Sequence, residues 1–237
     1  IRSGRLTKVV AARVILANLG AGLQLGSVLD CLRRQQPECT TFLLRGTDGS
    51  CFLGATPETL LRRKGAFVET EALAGTVPLA PGTQCVTEKE LREHGPVRAG
   101  IIASLERISN SVEADREPRL LELRNLAHLR TGVRAWLRAG VGLGEVITTL
   151  HPTAAVGGAP RDAALAFLGE HEDFDRGWYA GAVGWVSAEA AHLVLGLRSA
   201  LVKGSYARVF AGAGIVAGAS AEHEWQETVL KAAAVLE

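Results

Sequence analysis

The pattern of apolar and polar positions divides the chain into short strands and a few amphipathic helices. Residues Lys8–Leu16 (KVVAARVIL) form an apolar, β-branched run that is typical of a buried strand. The amphipathic segment Leu25–Gln36 is predicted to be a helix. An Asp-Gly pair at 48–49 predicts a hairpin turn between two strands, Thr40–Leu44 and Cys51–Ala55.

A second strand pair and the longest helix follow. Leu60–Arg63 and Ala66–Ala72 are predicted to pair around a turn at Lys64-Gly65. Helical spacing of apolar residues then predicts a helix over Thr87–Ser109, which Thr87 can cap. Pro96 lies inside this helix, where it lacks an N–H and clashes with the preceding turn, so we expect a kink or a helix start nearby.

The second half alternates strands with short helices in the same way. The final helix is expected to start near Ser220 and to run to the chain's end. The other predicted elements are strands Arg119–Glu122, Ala127–Leu137, Ala180–Val186, His192–Leu197 and Ala207–Ala211, and helices Leu143–Leu150 and Pro160–Glu170. Antiparallel-looking strand groups with helices between them predict an α+β fold, as one domain over residues 1–237. The order of the strands does not follow from the pattern.

Composition narrows the functional classes. With 47% hydrophobic and 22% charged residues and a net charge of +1, the chain is an ordinary globular sequence without the basic surplus that nucleic acid or anionic membrane requires. No stretch has the roughly 20 apolar residues of a membrane span. The chain starts at Ile1 without a signal segment and contains no Met, so we expect a piece of a longer protein, located in the cytoplasm, or in a plastid if from a plant or alga.

The four cysteines lack zinc-ligand spacing and are expected to be free thiols: Cys31, Cys39, Cys51 and Cys85.

Two acidic motifs are the clearest chemical signal. Glu90 and Glu93 lie three residues apart in one predicted helix, and Glu224 and Glu227 repeat that spacing in another. Residues three apart share one side of a helix, so each pair is a carboxylate patch. Two patches that face one cavity would repel each other unless a hard cation such as Mg²⁺ lay between them. Each pair alone is also typical of a solvated helix face.

The glycine-rich segment Phe210–Gly218 is a weaker signal. It superficially fits a dinucleotide fingerprint, but the next helix begins several residues after Gly214, and the chain ends too soon for a second strand. The better interpretation is backbone that lets N–H groups approach an anion closely.

Taken in order, these motifs resemble the chorismate-utilising enzymes, which include isochorismate, salicylate, anthranilate and aminodeoxychorismate synthases. The matching segments are Lys8-Val9-Val10, Gly54–Glu58 (GATPE), Ala72–Thr76 (ALAGT), Lys89-Glu90 with Glu93-His94, His151-Pro152-Thr153, Trp178–Gly181 (WYAG), Leu197–Ala200 (LRSA), Ala211–Val216 (AGAGIV) and Glu224–Thr228 (EWQET). The resemblance implies a β-sandwich wrapped by helices, with the active site between the sheets. It also implies a further N-terminal region that this chain lacks.

The resemblance assigns an acid and a base. Water-adding members carry a lysine in the first strand, here Lys8, as the base that activates water. Glu58 carries over as the acid that protonates the leaving hydroxyl, a role that fits a desolvated carboxyl. The alternatives are a strand-edge lysine and a surface glutamate after a proline turn.

The remaining site residues also come from the resemblance. Glu93 and Glu227 would bind Mg²⁺ directly, and Glu90 and Glu224 would act mainly through waters. The residues implied to bind chorismate or line its site are Gly75, Thr76, His128, Ala155, Tyr179, Arg198, Gly212, Gly214 and Lys231. For His128, a purely structural strand role is nearly as plausible.

The branch of the family is indicated by two positions. Lys8 together with Ala155 favours isochorismate synthase, and Thr70-Glu71 with Glu172–Tyr179 looks closest to the menaquinone-pathway type. The alternatives are a salicylate synthase, which eliminates pyruvate from the same intermediate, and an inactive fragment or a module fused to other pathway enzymes. The pathway served, whether quinone, siderophore or salicylate, is left open by the sequence.

Overall fold

The computed structural model describes residues 1–20, 23–79, 86–124 and 126–236. The strands in these ranges are β1 (Lys8–Asn18), β2 (Thr40–Arg45), β3 (Cys51–Thr56), β4 (Thr59–Lys64), β5 (Phe67–Pro78), β6 (Ser109–Ala114), β7 (Arg119–Glu122), β8 (Leu126–Leu137), β9 (Gly158–Ala159), β10 (Ala182–Val186), β11 (Ala190–Leu195), β12 (Ser199–Lys203) and β13 (Tyr206–Val216). The helices are α1 (Leu25–Gln35), α2 (Glu88–Glu106), α3 (Leu143–Leu150), α4 (Arg161–His171) and α5 (Ala221–Leu236).

The strands form two antiparallel sheets, which confirms the predicted α+β class. The first has the order β2-β3-β12-β13-β1-β9. The second has the order β10-β11-β4-β5-β8-β6, and β7 also pairs with β8. At the centre of the first sheet, β1 and β13 pair in unbroken register from Lys8 opposite Val216 to Asn18 opposite Tyr206.

Two neighbouring connections carry the chain from one sheet to the other. Pro57-Glu58 joins β3 to β4, and Gly196–Arg198 joins β11 to β12. The carbonyl of Glu58 accepts a hydrogen bond from the N–H of Leu195 at 3.0 Å, and the carbonyl of Arg198 accepts one from Ala55 at 3.2 Å. The two crossings therefore support each other, and they hold Glu58 and Arg198 between the sheets.

Helix α2 packs on β5 and β8 of the second sheet and also contacts β13 and β9 of the first. It begins at a capping box, in which Thr87 Oγ1 accepts from the Lys89 N–H and Glu90 Oε2 accepts from the Thr87 N–H. The predicted helix start near Pro96 is wrong, because the helix runs through that residue. The capping box and the buried apolar face, which includes Val97, stabilise the helix on both sides of the proline.

Several predicted boundaries are also wrong. Helix α2 ends at Glu106 instead of Ser109, and the predicted pattern lacked β6, β9 and β12. The predicted glycine loop after Ala211 is instead the continuation of β13, because pairing with β1 outweighs the low strand propensity of glycine. Strand β5 likewise continues past Ala72, with a bulge at Gly75.

Two observations bear on the class of protein. Cys31, Cys39 and Cys51 are free thiols, as predicted, whereas Cys85 lies outside the described residues. No helix in the described ranges has the length and apolar character that crossing a membrane would require. The single domain over residues 1–237 stays a prediction.

Candidate active site

A cleft lies between the two sheets and gathers most of the predicted site residues. Strands β1 and β13 form one wall, β5 and β8 form another, and α2, α5 and the sheet crossings close the ends. Its lining residues include Lys8, Glu58, Thr76, Glu93, His128, Ala155, Tyr179, Arg198, Gly212, Gly214 and Lys231. Both predicted catalytic residues thus reach one cavity.

Lys8 lies at the start of β1, and its side chain is only 1% exposed. The ammonium Nζ lies 3.3 Å from Glu93 Oε1 and 3.4 Å from the Glu93 carbonyl oxygen. Gly214 on the neighbouring strand leaves room for this pair, since a Cβ there would lie 2.2 Å from Glu93 Oε1 and 2.9 Å from Lys8 Cε. Lys8 is therefore a buried cation in the cleft and not the strand-edge residue of the alternative interpretation.

Glu58 is 5% exposed at the crossing from β3 to β4. Burial, followed by the negative charge of Glu71, raises its pKa to about 8, against the opposing pull of nearby cations such as Lys8 and Arg198. The carboxyl therefore carries a proton at neutral pH and can donate it. This geometry excludes the alternative of an ordinary surface glutamate.

A chain of hydrogen bonds runs across the cleft from Arg198 to α5. Arg198 Nη2 lies 2.8 Å from His128 Nε2, and His128 Nδ1 lies 3.3 Å from Thr76 Oγ1. Thr76 Oγ1 donates to Glu227 Oε1 at 2.9 Å, and Lys231 Nζ donates to the same oxygen at 2.5 Å. The chain joins residues predicted to hold the two ends of the substrate.

His128 is neutral within this series of hydrogen bonds. Burial and then the positive charge of Arg198 lower its pKa well below the usual value. A guanidinium can only donate, so Nε2 accepts from Arg198 and the ring proton lies on Nδ1, facing Thr76.

Gly212 and Gly214 direct their backbone groups away from β1. The N–H of Val10, which lies opposite Gly214, donates to the Gly157 carbonyl at 2.9 Å on the far side of β1. In an antiparallel pair, the backbone N–H and C=O groups of two opposed residues either point toward each other or both point away. Those of Gly214 therefore point away from β1, toward the side of β13 where β12 pairs, but beyond the last residue that β12 reaches. Gly212 shares this direction, and its carbonyl accepts from Lys231 Nζ at 2.9 Å.

Tyr179 is buried beside this edge. Its ring stacks on Phe210 with centroids 5.2 Å apart, and a Cβ at Gly212 would lie 2.8 Å from the hydroxyl oxygen. Burial raises the pKa of Tyr179 to about 12, so the hydroxyl stays protonated and can donate to an anion. Together with the strand-edge N–H groups and Arg198, it makes this wall of the cleft suited to a carboxylate.

Three of the four predicted metal-binding glutamates converge between α2 and α5. Glu93, Glu224 and Glu227 are all buried, and the charges of the other two act on Glu224. Burial and then the proximity of Glu227 raise the pKa of Glu224, although Lys89 Nζ lies 2.8 Å from its Oε1. For Glu227, burial raises the pKa, but Lys231, Thr76 and Lys89 together outweigh burial and lower the pKa.

These residues fit a divalent cation. Glu93 Oε2 and Glu224 Oε2 are buried and have no hydrogen-bond partner among the described residues. Acceptor-only oxygens in that state are costly, and coordination to a hard cation would satisfy them. Over the described ranges, no three acidic, histidine or cysteine side chains already surround a common point.

Glu90 is placed differently from the other three. Its Oε2 accepts from the N–H of Thr87 at 2.8 Å and from the Thr87 hydroxyl at 2.5 Å, so the side chain caps α2. The predicted water-mediated contact of Glu90 with a metal ion stays a prediction.

Gly75 and Ala155 take the remaining positions. Gly75 is the bulge residue of β5 with φ +80°, and a Cβ there would lie 2.7 Å from the Glu90 carbonyl oxygen. The close approach of α2 to β5 therefore needs glycine. Ala155, in the connection after α3, lines the cleft directly.

Sequence reasoning missed two residues at this site. Lys89 was seen only as part of a motif, yet its ammonium lies among the acidic residues. Glu71 was noted only as a mark of subtype, yet it acts on Glu58. A lysine between two helix glutamates is a usable signal in retrospect, whereas nothing near Glu71 in the sequence indicates that Glu58 is its neighbour.

Comparisons with known proteins agree with this arrangement. The profile of the family described as chorismate binding enzyme matches residues 1–237. The salicylate biosynthesis isochorismate synthase of Pseudomonas aeruginosa is 38% identical over 247 residues, which cover 100% of this chain and 52% of that protein. Isochorismate synthase MenF of Haemophilus influenzae is 37% identical, with coverages of 100% and 57%.

Solved structures show the same fold. The menaquinone-specific isochorismate synthase MenF from Escherichia coli superposes with a TM-score of 0.91 at 35% identity, covering 100% of this chain and 58% of that one. Anthranilate synthase component I from Streptococcus pneumoniae superposes with a TM-score of 0.88 at 28% identity. The chain spans about half the length of the curated relatives it matches. It belongs to the chorismate binding enzyme family.

Proposed function

We propose that the chain is the catalytic part of an isochorismate synthase, which converts chorismate to isochorismate. The observation that carries the proposal is the pairing in one cleft of a buried lysine, Lys8, with a buried and protonated carboxyl, Glu58. The isochorismate synthase relatives, at 37–38% identity, support this branch of the family.

The reaction needs one base and one acid. Lys8, in its neutral form, takes a proton from the water whose oxygen forms the new bond at C2. Glu58 gives its proton to the C4 hydroxyl, which leaves as water while the ring double bonds shift. One water enters and one leaves, so the reaction is an isomerisation. The ion pair with Glu93 positions the Lys8 amine in the cleft.

The cleft provides separate places for the two carboxylates of chorismate. Arg198, Tyr179 and the strand-edge N–H groups of Gly212 and Gly214 would hold the enolpyruvyl carboxylate. Thr76 and the bulge at Gly75 would contact the ring end, and Lys231 would remain beside Glu227.

The cation proposed for the acidic cluster is Mg²⁺. Glu93 and Glu227 would bind it directly, and Glu224 and Glu90 through waters, as the unpartnered oxygens of Glu93 and Glu224 suggest. When bound, the ion would supply positive charge that fixes and polarises the ring carboxylate.

Ala155 favours this branch over salicylate synthase, in which threonine is usual at that place. The second candidate rests on His128, which lies in the cleft beside Arg198 and could assist pyruvate elimination. The quinone, siderophore or salicylate destination of the product stays open, as do fusion to other enzymes and the cytoplasmic location.

The test is product analysis. The chain is incubated with chorismate and Mg²⁺, the products are separated by chromatography, and pyruvate is followed in a coupled assay. Isochorismate without pyruvate supports the proposal, whereas salicylate with pyruvate or anthranilate as the main product overturns it. Absence of turnover in a sample with a cooperative thermal transition supports the inactive-fragment alternative.

A further inference from the structure

Glu71 is a buried carboxylate that the mechanism above does not use. It lies on β5, two residues before Leu73 of the cleft wall, and is 6% exposed. Its Oε1 accepts a hydrogen bond of 2.9 Å from the N–H of Thr59, the residue that follows Glu58. Glu71 therefore holds the peptide unit attached directly to the proposed acid.

This bond completes the support of the Glu58 segment. The N–H of Glu58 donates to Thr56 Oγ1 at 3.3 Å, and its carbonyl accepts from Leu195 at 3.0 Å. With Thr59 held by Glu71, the main chain is fixed before, at and after the acid. A side chain that must deliver a proton within hydrogen-bond reach depends on such support.

Glu71 also places a negative charge beside Glu58. After burial itself, that charge is the main reason why Glu58 keeps its proton. The groups facing Glu58 from other elements are cations and a hydroxyl: Lys8, Lys231, Arg198 and Tyr179. Glu71 is thus the acidic group that opposes the three cations.

Arg130 is the cation paired with Glu71. Its Nε lies 2.5 Å from Glu71 Oε2, and its side chain is 48% exposed. The pair borders a second pocket with polar and charged walls. Other charged groups near Glu71 there are Arg62, Glu69, Arg134 and His192.

We propose that Glu71 is a positioning residue for Glu58, which fixes its main chain and holds a negative charge beside it, and that Arg130 sets how much of that charge Glu58 experiences. The consequence for turnover rests on the proposed function. The consequence for the protonation of Glu58 does not, because it concerns the protein without substrate.

The first test is a titration of Glu58 by infrared difference spectroscopy in the unliganded chain, with the Glu58→Gln variant identifying its carboxyl band. Glu71→Gln removes the charge and is expected to lower the midpoint by about one pH unit. Arg130→Gln exposes Glu58 to the full negative charge of Glu71 and is expected to raise the midpoint of the Glu58 titration. Glu69→Gln, on the same strand but paired with Arg134, is the control and should leave the midpoint unchanged.

Opposite shifts in the two variants support the proposal. Unchanged midpoints, or shifts in the same direction, overturn it. If Glu71→Gln does not fold, as judged by its thermal transition, Arg130→Gln decides alone: an upward shift supports the proposal and no shift overturns it.

The second test is the pH dependence of kcat. The alkaline limb should move in the same directions, with the KM for chorismate changed less than about threefold, since neither side chain lines the cleft. A chain without turnover would contradict the proposed function, while the titration would still decide the role of Glu71.

Discussion

Glu58 shows how burial determines the chemistry of a single side chain. Desolvation disfavours its ionised form, and Glu71 adds to this effect, so the carboxyl is an acid at a pH where an exposed glutamate is fully ionised. The same burial makes Glu58 a pH-dependent contribution to stability.

We predict that Glu58→Gln abolishes most activity and flattens the stability profile. The folded pKa of about 8 lies above the ordinary 4.5, so between these values the folded chain keeps a proton that the unfolded chain releases. The contribution of this group to the free energy of unfolding is fully present below about pH 4.5. It decreases as the pH rises to about 8, by at most about 1.4 kcal/mol per pH unit. Denaturant unfolding at several pH values should show this slope in the wild type and not in the variant.

Turnover gives the matching activity result. Loss of a general acid typically costs 10²–10⁴-fold in rate, and wild-type kcat should fall above about pH 8 as Glu58 loses its proton. Wild-type activity that stays flat to pH 10, or a variant that retains near-normal turnover, would contradict the acid role.

At the scale of elements, α2 and β13 together determine the geometry of the acidic cluster. Helix α2 carries Lys89, which pairs with Glu224, and Glu93, which reaches the cleft. Strand β13 leaves room for Glu93 because Gly214 lacks a side chain. Lys89 is the cation paired with Glu224, with Nζ 2.8 Å from Oε1.

We therefore predict that Lys89→Met binds Mg²⁺ more tightly, by about fivefold or more, because an ammonium no longer competes for the carboxylates. In the presence of a chelator, the variant should melt at a lower temperature than the wild type. Added Mg²⁺ should remove this difference in melting temperature. Calorimetric titration measures the affinity, and Arg92→Met, which removes an exposed pair with Glu88 on the same helix, is the control. Equal or weaker binding would show that Lys89 does not compete.

Gly214→Ala tests the close packing of β13 against the Lys8–Glu93 pair. The new Cβ would overlap Glu93 Oε1 and crowd Lys8 Cε, which are flexible ends that can move, so we expect a stable protein with kcat at least about tenfold lower. Steady-state kinetics and a thermal melt measure the two effects. Gly100→Ala in α2 meets nothing within 4 Å and should leave activity unchanged.

At the scale of the molecule, the two sheets are joined by paired crossings and by a helix that contacts both. A destabilising substitution in that helix should therefore lower the stability of both sheets together. The core shared by the two sheets also includes buried α2 residues such as Leu105.

We predict that Leu105→Ala lowers the free energy of unfolding by about 2–5 kcal/mol and that unfolding remains a single cooperative transition. Urea unfolding followed by far-ultraviolet circular dichroism and by tryptophan fluorescence should give coincident curves. Leu16→Ala, at a position 76% exposed on β1, should change stability by about 0.5 kcal/mol or less. Separate transitions for the two probes would contradict a single domain.

The local order of the chain is what the sequence determined by itself. Apolar periodicity and turn residues place most strands and helices, because these signals act between neighbours in the chain. The motifs around Lys8, Glu58 and the paired glutamates identify the family for the same reason, since each motif is contiguous.

Contacts between distant segments were decided only by the tertiary structure. Pairing with β1 turned a predicted glycine loop into strand, and the capping box turned Glu90 toward Thr87. The placement of Lys89 among the acids and of Glu71 behind Glu58 depends on sheet order and on the crossings between sheets. Such placements follow from burial and charge summed over the whole fold, which no local pattern encodes.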